Sequence, residues 1–209
     1  MSVTEIPADI KVIAFDFDGV ILESVQIKDE TFPAIFENAS DEEKRAILAF
    51  HLQTPGMKRQ EKIAHILTNI LNQDISETDF YTRKFAKHIE KRMKTCSFVP
   101  GILQFLEKYR ELPMYIVSAA PAEEVQKICA ARQLTHYFKD TFGAPEKKPE
   151  ILEKIAQFEN INPHNLLFIG DKLSDMHAAT SKNIQFIGRV SFYNPSKFPD
   201  EISTINSFS

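Results

Sequence analysis

Val12-Ile13-Ala14-Phe15-Asp16-Phe17-Asp18-Gly19-Val20 is the stretch on which the reading of this chain turns. A short apolar run, β-branched at its start, gives way to two aspartates one residue apart and then to a glycine. A run of this length bounded by a turn signal suits a buried strand of a parallel sheet. In open parallel α/β sheets, ligands sit just beyond the carboxyl ends of the strands. Asp16 and Asp18 fall at that end, and Gly19 lets the chain turn sharply after them. Taken alone, the pair suits a solvated strand terminus as well as a reactive site. Other strands must decide.

Working outward, residues 23–97 carry helical signals and no strand pattern. Ser40-Asp41-Glu42-Glu43 forms a capping box, with Ala46, Ile47, Ala49 and Phe50 at helical spacing behind it. Thr54-Pro55-Gly56 marks a break. The next helix carries Ile63, Ile66, Leu67, Ile70 and Leu71 on one face and stops near Asn72; another is expected to start at Ser76-x-x-Asp79. It would turn Phe85, Ile89 and Met93 inward and Lys84, Lys87, Lys91 and Lys94 outward, as a solvated face.

After Pro100-Gly101, strand and helix patterns alternate again. A helix around Leu103–Tyr109 precedes a buried strand, Met114–Val117, which ends in Ser118-Ala119-Ala120-Pro121. A helix from Ala122 to Arg132 and a weak strand signal at Tyr137–Phe142 follow. Gly143-Ala144-Pro145-Glu146-Lys147-Lys148-Pro149 reads as a loop, with Pro149 starting a helix through Phe158. The strand Asn165–Ile169 ends in Gly170-Asp171-Lys172-Leu173-Ser174-Asp175; a helix and the strand Ile184–Ile187 complete the pattern. The alternation implies an α/β fold with a Rossmann-like parallel sheet. Residues 22–97 are then an all-helical cap inserted into an α/β core of residues 1–21 and 98–209, hung over the carboxyl edge.

Composition narrows the function classes. The 209 residues carry a net charge of −4, which argues against general nucleic-acid binding. No run approaches the roughly 18 apolar residues of a membrane span, and the N-terminus shows no secretory signal, so a cytoplasmic, soluble protein is expected. Cys96 and Cys129 have no zinc-type or disulfide-framework spacing.

Three strands now end in polar groups: Asp16 and Asp18, then Ser118, then Asp171 and Asp175, with Lys148 from a loop. Each alone has an ordinary explanation, such as a helix cap or a favourable macrodipole interaction. Together they place several carboxylates on one edge, where they would repel unless a hard cation neutralised them. Magnesium suits such a site, since it prefers oxygen ligands and is held by one or two carboxylates together with substrate phosphate.

At these residues the chain resembles the haloacid dehalogenase-like (HAD) hydrolase superfamily. More narrowly it resembles the subclass with a helical cap in the first cap position, to which phosphoglycolate phosphatases and β-phosphoglucomutases belong. The motifs that carry the resemblance are Asp16-x-Asp18-Gly19-Val20, Ser118 after an apolar strand, Lys148 before Pro149, and Gly170-Asp171-x-x-x-Asp175. They stand in the family's order, and the resemblance spans about residues 10–190.

The resemblance implies a Mg²⁺-dependent phosphatase working through an aspartyl-phosphate. Asp16 would be the nucleophile and Asp18 the acid and then the base. Ser118 and the Ala119 N–H would donate to the phosphoryl oxygens, and Lys148 would supply positive charge. Metal ligands would be the Asp16 carboxylate, the Asp18 main-chain carbonyl and Asp171, with Asp175 in support. Asp18 argues against a dehalogenase, because a halide leaving group needs no proton. Gly56-Met57-Lys58-Arg59-Gln60-Glu61-Lys62 resembles the cap segment that sets a basic residue over the substrate, with Arg59 the first candidate and Lys58 the second. The expected partner is a small phosphorylated metabolite such as a sugar phosphate, with no nucleic acid or membrane involved. The alternatives are a sugar phosphomutase on the same core, or a non-catalytic phosphate-responsive binding or regulatory protein.

Overall fold

A computed structural model describes residues 5–54, 57–192, 195 and 198–209. The chain forms two compact units, Met1–Ser24 with Cys96–Ser209, and Val25–Thr95. The first holds a parallel sheet of β1 (Val12–Phe15), β2 (Met114–Pro121), β3 (Asp140–Ala144), β4 (Leu166–Gly170), β5 (Gln185–Arg189) and β6 (Thr204–Ile205). Their order is β3-β2-β1-β4-β5-β6. The first unit also contains helices α5 (Ile102–Lys108), α6 (Ala122–Ala131), α7 (Lys148–Phe158) and α8 (Leu173–Thr180). This is an α/β, Rossmann-like fold.

The strand order fixes where a site can form. β1 pairs with β2 on one side and β4 on the other, so the chain winds outward in both directions from β1. The crevice at such a reversal lies outside the carboxyl ends of the central strands. Every residue of β1 and β4 is buried, as expected for strands covered on both faces. One face packs Val12, Ala14, Tyr115, Val117 and Phe168 against Ile151, Leu152 and Ile155 of α7 and Met176 and Ala179 of α8. On the other, Phe15 meets Phe105 and Phe138 edge-on, at centroid distances of 6.1 and 6.0 Å.

Several elements differ from the expectations of periodicity. β2 does not stop at Val117 but continues through Ser118 to Pro121. Its register against β3 steps from Val117↔Phe142 to Pro121↔Ala144, so three residues of β2 face Gly143 alone. Such a bulge frees strand peptides from the ladder. Gly143 makes it possible: a Cβ there would lie 2.1 Å from the Ala120 carbonyl oxygen. The weak signal around Tyr137 resolves into a 3₁₀ turn, Thr135–Tyr137, and then β3, which claims Gly143 and Ala144 from the expected loop. α7 begins at Lys148, one residue before Pro149. The C-terminal segment contributes β6, whose residues pair with Gly188 and Arg189.

The second unit is helical: α1 (Val25–Ala34), α2 (Asp41–Gln53), α3 (Arg59–His65) and α4 (Thr78–Met93). Ser40 caps α2 in a full capping box, with Glu43 N–H donating to Ser40 Oγ at 3.2 Å and Ser40 N–H to Glu43 Oε2 at 2.7 Å. α3 runs into a π-helical turn, Ile66–Ile70, and Asn72 leaves it with φ of +51°. Ser76 is not the cap of the last helix. Asp74 accepts the Ser76 N–H at the head of a 3₁₀ turn, and α4 starts at Thr78. Along α4, Phe85, Ile89 and Met93 are buried and Lys87, Lys91 and Lys94 are exposed. The break expected at Pro55-Gly56 lies outside the described residues.

The segments by which the chain leaves and re-enters the sheet unit pair with each other. Glu23 N–H bonds to the Ser97 carbonyl at 2.9 Å, and Val99 N–H to the Ile21 carbonyl at 3.1 Å. This pairing keeps residues 22–24 and 96–97 with the sheet rather than with the helices. Among the described residues no helix is long and apolar enough to cross a membrane. Among the described residues neither Cys96 nor Cys129 forms a disulfide.

Ile13 is fully buried at the centre of the sheet. Ile13→Ala is expected to lower stability by about 2–5 kcal/mol, a fall in melting temperature of roughly 5–15 °C for a chain of this size. Urea and thermal denaturation monitored by circular dichroism check this.

Candidate active site

β1 carries Asp16 and Asp18 out of the core, and both stay buried. Asp16 N–H still bonds to the Ile169 carbonyl of β4 at 2.8 Å, so the strand ladder holds its backbone. Beyond it the chain closes into a tight turn. Gly19 adopts φ of +77°, a region that favours glycine, and donates its N–H to the Leu22 carbonyl at 2.8 Å. The turn brings Ser24, which is fully buried, back to the strand end, where its hydroxyl donates to Asp18 Oδ1 at 2.7 Å.

On the neighbouring strand the β2 bulge presents Ser118 and Ala119. Ser118 is buried, and its Oγ accepts the Ala120 N–H at 3.1 Å, which leaves the hydroxyl proton to be donated elsewhere. Ala119 is exposed. From the other side, β4 ends at Gly170 and passes Asp171 to α8, on which Asp175 sits in the first turn. Asp175 Oδ2 accepts the Lys172 N–H at 3.1 Å, which fixes its rotamer across the helix start. Its carboxylate packs against Gly170, where a Cβ would lie 2.5 Å from Asp175 Cβ. The glycine is therefore required by the carboxylate above it.

Lys148 ties the two halves together. Its Nζ lies 2.8 Å from Asp16 Oδ1 and 2.7 Å from Asp175 Oδ1. Burial by itself would lower the pKa of this lysine, but the charges of Asp16 and Asp175 outweigh it and the net shift is upward. It is a permanent cation. The adjacent Lys147 is exposed, so only Lys148 of the pair reaches the carboxylates.

Asp16, Asp171 and Asp175 each offer a carboxylate oxygen, all within 4.8 Å of one another. One lysine does not neutralise them. Burial pushes the Asp171 carboxyl up to about 8, with the charge of Asp16 adding to it. Asp16 is also raised, first by burial; Lys148 opposes the shift, and Asp175 and Asp18 add to it. Three buried, hard oxygen donors with surplus negative charge are the chemistry that a divalent cation satisfies.

Asp16, Asp18, Ser118, Lys148, Asp171 and Asp175 all belong to the sheet unit. The Asp18 carboxylate is not one of the three clustered ligands; it is turned onto Ser24. Arg59 belongs to the helical unit, where its guanidinium carbon lies 4.7 Å over the Phe85 ring. Sequence reasoning missed Ser24, whose buried hydroxyl has no local pattern to reveal it. Lys172 it quoted without a role. The crowding around Lys172 would lower its pKa, yet the charges of Asp171, Asp16, Asp18 and Asp175 raise it, which makes it a second cation facing the cluster.

The raised Asp171 pKa has a consequence for stability. A carboxyl whose folded pKa lies above its unfolded value contributes stability that is present at low pH and lost as pH rises through the folded pKa. In chelator, the urea midpoint is expected to fall between about pH 4 and about pH 8. Added divalent cation should flatten that fall, as should Asp171→Asn without any cation.

Comparison with known proteins agrees with this geometry. Residues 13–189 match the family model described as haloacid dehalogenase-like hydrolase. A phosphoglycolate phosphatase of Vibrio parahaemolyticus is 25% identical over 203 residues, covering 89% of this chain and 86% of that protein. One from Photobacterium profundum is 26% identical over 205 residues, covering 88% and 85%. Among solved structures, a predicted phosphoglycolate phosphatase from Haemophilus somnus superposes with a TM-score of 0.76 at 19% identity, covering 96% of each chain. CbbY from Rhodobacter sphaeroides, in complex with xylulose-1,5-bisphosphate, gives 0.74 at 18% identity over 95% of each chain. The family match extends from β1 to β5 and takes in every strand that supplies a site residue, and so the chain belongs to the haloacid dehalogenase-like hydrolases.

Proposed function

We propose that this hydrolase is a Mg²⁺-dependent phosphatase that cleaves a small phosphomonoester through an aspartyl-phosphate on Asp16. The observation that carries the reading is the half-buried Lys148 bridging Asp16 and Asp175 beside Asp171, at the central strand ends. The Val25–Thr95 unit would serve as its cap.

A carboxylate approaching a phosphate dianion meets repulsion of about 4 kcal/mol per charge pair near 4 Å, at an effective dielectric of about 20. That is roughly a thousandfold in rate, so the site must hold counter-charge before reaction begins. Lys148 supplies part of it at Asp16 Oδ1, 2.8 Å away. Asp16, Asp171 and the main-chain carbonyl of Asp18 would hold Mg²⁺, with Asp175 behind them, and the ion would neutralise phosphoryl charge when bound. Ser118 Oγ–H and Ala119 N–H, freed by the bulge, would donate to the same oxygens.

The chemistry then falls to two side chains. An Asp16 oxygen forms a bond to phosphorus as the ester P–O bond breaks, and Asp18 gives its proton to the departing alkoxide. Asp18, now a carboxylate, takes a proton from water. That water attacks phosphorus, the acyl-phosphate P–O bond breaks, and inorganic phosphate leaves with Asp16 restored. Ser24 donates to Asp18 Oδ1 and would orient this carboxyl for the proton transfer.

For the substrate, the relatives point to short phosphorylated acids such as phosphoglycolate. Arg59 and then Lys58 remain the candidates for a basic residue that would bind the non-phosphate end; Arg59 is half-buried over Phe85 and Lys58 is exposed.

A panel of phosphorylated metabolites and p-nitrophenyl phosphate with the purified protein and Mg²⁺ tests the assignment. Phosphate release should vanish in chelator and in Asp16→Asn. In Asp18→Asn it should fall by about 10²–10⁴. Mass spectrometry of acid-quenched protein should show one added phosphoryl group, absent from Asp16→Asn. Turnover by Asp16→Asn at more than a tenth of the parent rate refutes the mechanism.

A further inference from the structure

Arg189, the last residue of β5, is 3% exposed and ends a strand that supplies none of the groups assigned above. Its guanidinium makes four hydrogen bonds. Nη1 donates to the Gly19 carbonyl and to Glu23 Oε2, each at 2.9 Å; Nη2 donates to Glu23 Oε1 at 2.5 Å; and Nε donates to the Asn206 carbonyl at 3.3 Å. Gly19 follows Asp18 directly, and Glu23 precedes Ser24, whose hydroxyl holds the Asp18 carboxylate. One buried cation thus grips the turn where it leaves Asp18 and where it returns to it.

Within the turn, Gly19 N–H is closed onto the Leu22 carbonyl, and Ile21 N–H onto the Phe17 carbonyl at 3.0 Å. The Gly19 carbonyl points outward, and Arg189 is its partner. Glu23 also donates its N–H to Ser97, which ties the turn to the returning segment. That segment has a hold of its own: Arg132 Nη1 donates to the Cys96 carbonyl at 2.6 Å, and its guanidinium carbon lies 4.0 Å over the Phe98 ring. Loss of Arg189 would therefore leave the paired segments anchored while releasing the Asp18 turn.

We infer that the Arg189–Glu23 fork is a positioning device for Asp18, acting through Gly19 and Ser24. The kinetic consequence rests on the phosphatase reading; the hold on the turn does not. A planar fork suits this task, because it meets both carboxylate oxygens of Glu23 and a carbonyl at once in one fixed geometry. A lysine at the same position is a point charge and cannot set the angle between the two ends. A proton donor has to meet its acceptor within hydrogen-bond reach, so a looser Asp18 slows proton transfer without loosening the grip on phosphate.

The test compares Arg189→Met, Arg189→Lys, Glu23→Gln and the double variant Arg189→Met/Glu23→Gln, which leaves no unpaired charge in the fork. Folding is checked by circular dichroism and thermal melting, and rates are given per folded molecule. Arg189→Met and the double variant should lose about 10–100-fold in kcat with KM within twofold, and shift the pH–kcat limb of the proton-transfer step. Arg189→Lys should recover only part of the loss. Hydrogen exchange in peptides covering residues 17–24 should quicken at least tenfold, while residues 166–170 stay protected. A folded double variant with kcat within twofold of the parent overturns the inference. So does unchanged exchange over 17–24, or an effect confined to KM. If Arg189→Met does not fold, Glu23→Gln and the double variant decide. If the parent protein cleaves no phosphomonoester, the phosphatase reading fails, and the exchange measurement alone decides whether the fork holds the turn.

Discussion

Crowding of like charge is the constraint on which this structure depends. Asp16, Asp171 and Asp175 lie buried with oxygens within 4.8 Å of one another, and Lys148 bridges two of them. No chain gathers such groups without a scaffold stiff enough to resist their repulsion. The parallel sheet provides it, since β1 and β4 are buried along their whole length and pair with each other at every residue of β1. The ladder reaches Asp16 itself through its N–H. What the cluster costs in repulsion, the hydrophobic faces of the central strands offset. Reactivity and stability therefore pull on the same two strand ends from opposite directions.

Much of this could be read from the residues in order, because the groups concerned are local to their strands. Asp16, Asp18, Asp171 and Asp175 each stand at or just after an apolar run, and a run of that kind fixes both the strand and its carboxyl end. Lys148 could be separated from Lys147 only by its place before Pro149, and the structure shows why the distinction is sharp: one is bonded to two carboxylates, the other faces solvent. The β2 bulge was hidden for a different reason. It exists because Gly143, distant in sequence, has no Cβ to collide with Ala120, and periodicity within β2 carries no trace of that. The strand β6 in the tail is likewise a product of pairing with Gly188 and Arg189 rather than of its own two residues.

The helical unit shows the converse. Its capping box is a purely local device and was legible from Ser40 and Glu43 alone. Its most unusual feature was not. Lys62 is 3% exposed, and its Nζ donates to His51 Nδ1 at 2.9 Å, while His51 Nε2 faces Asp29 Oδ1 at 3.0 Å. The imidazole thereby links a buried lysine to a carboxylate across α1, α2 and α3. Sequence spacing cannot announce a relay whose three members come from three helices.

Asp18 brings these strands of reasoning to one point. Of the two aspartates in the opening motif, Asp16 is fixed by the strand ladder and by Lys148, both of which the fold supplies anyway. Asp18 lies past the ladder, on the chain's exit toward the helices, where a backbone is freest to move. In the proposed mechanism its carboxylate must nevertheless be placed as closely as that of Asp16, because a proton donor has to meet its acceptor within hydrogen-bond reach. The glycine that allows the turn also weakens it, since glycine gains the most freedom when released. A turn built on Gly19 therefore needs an external hold. Ser24 holds the side chain, and a buried arginine from β5 closes the Gly19 carbonyl that the turn leaves open. The order of contacts runs from β5 through Arg189 to Gly19 and Glu23, and from there through Ser24 to Asp18.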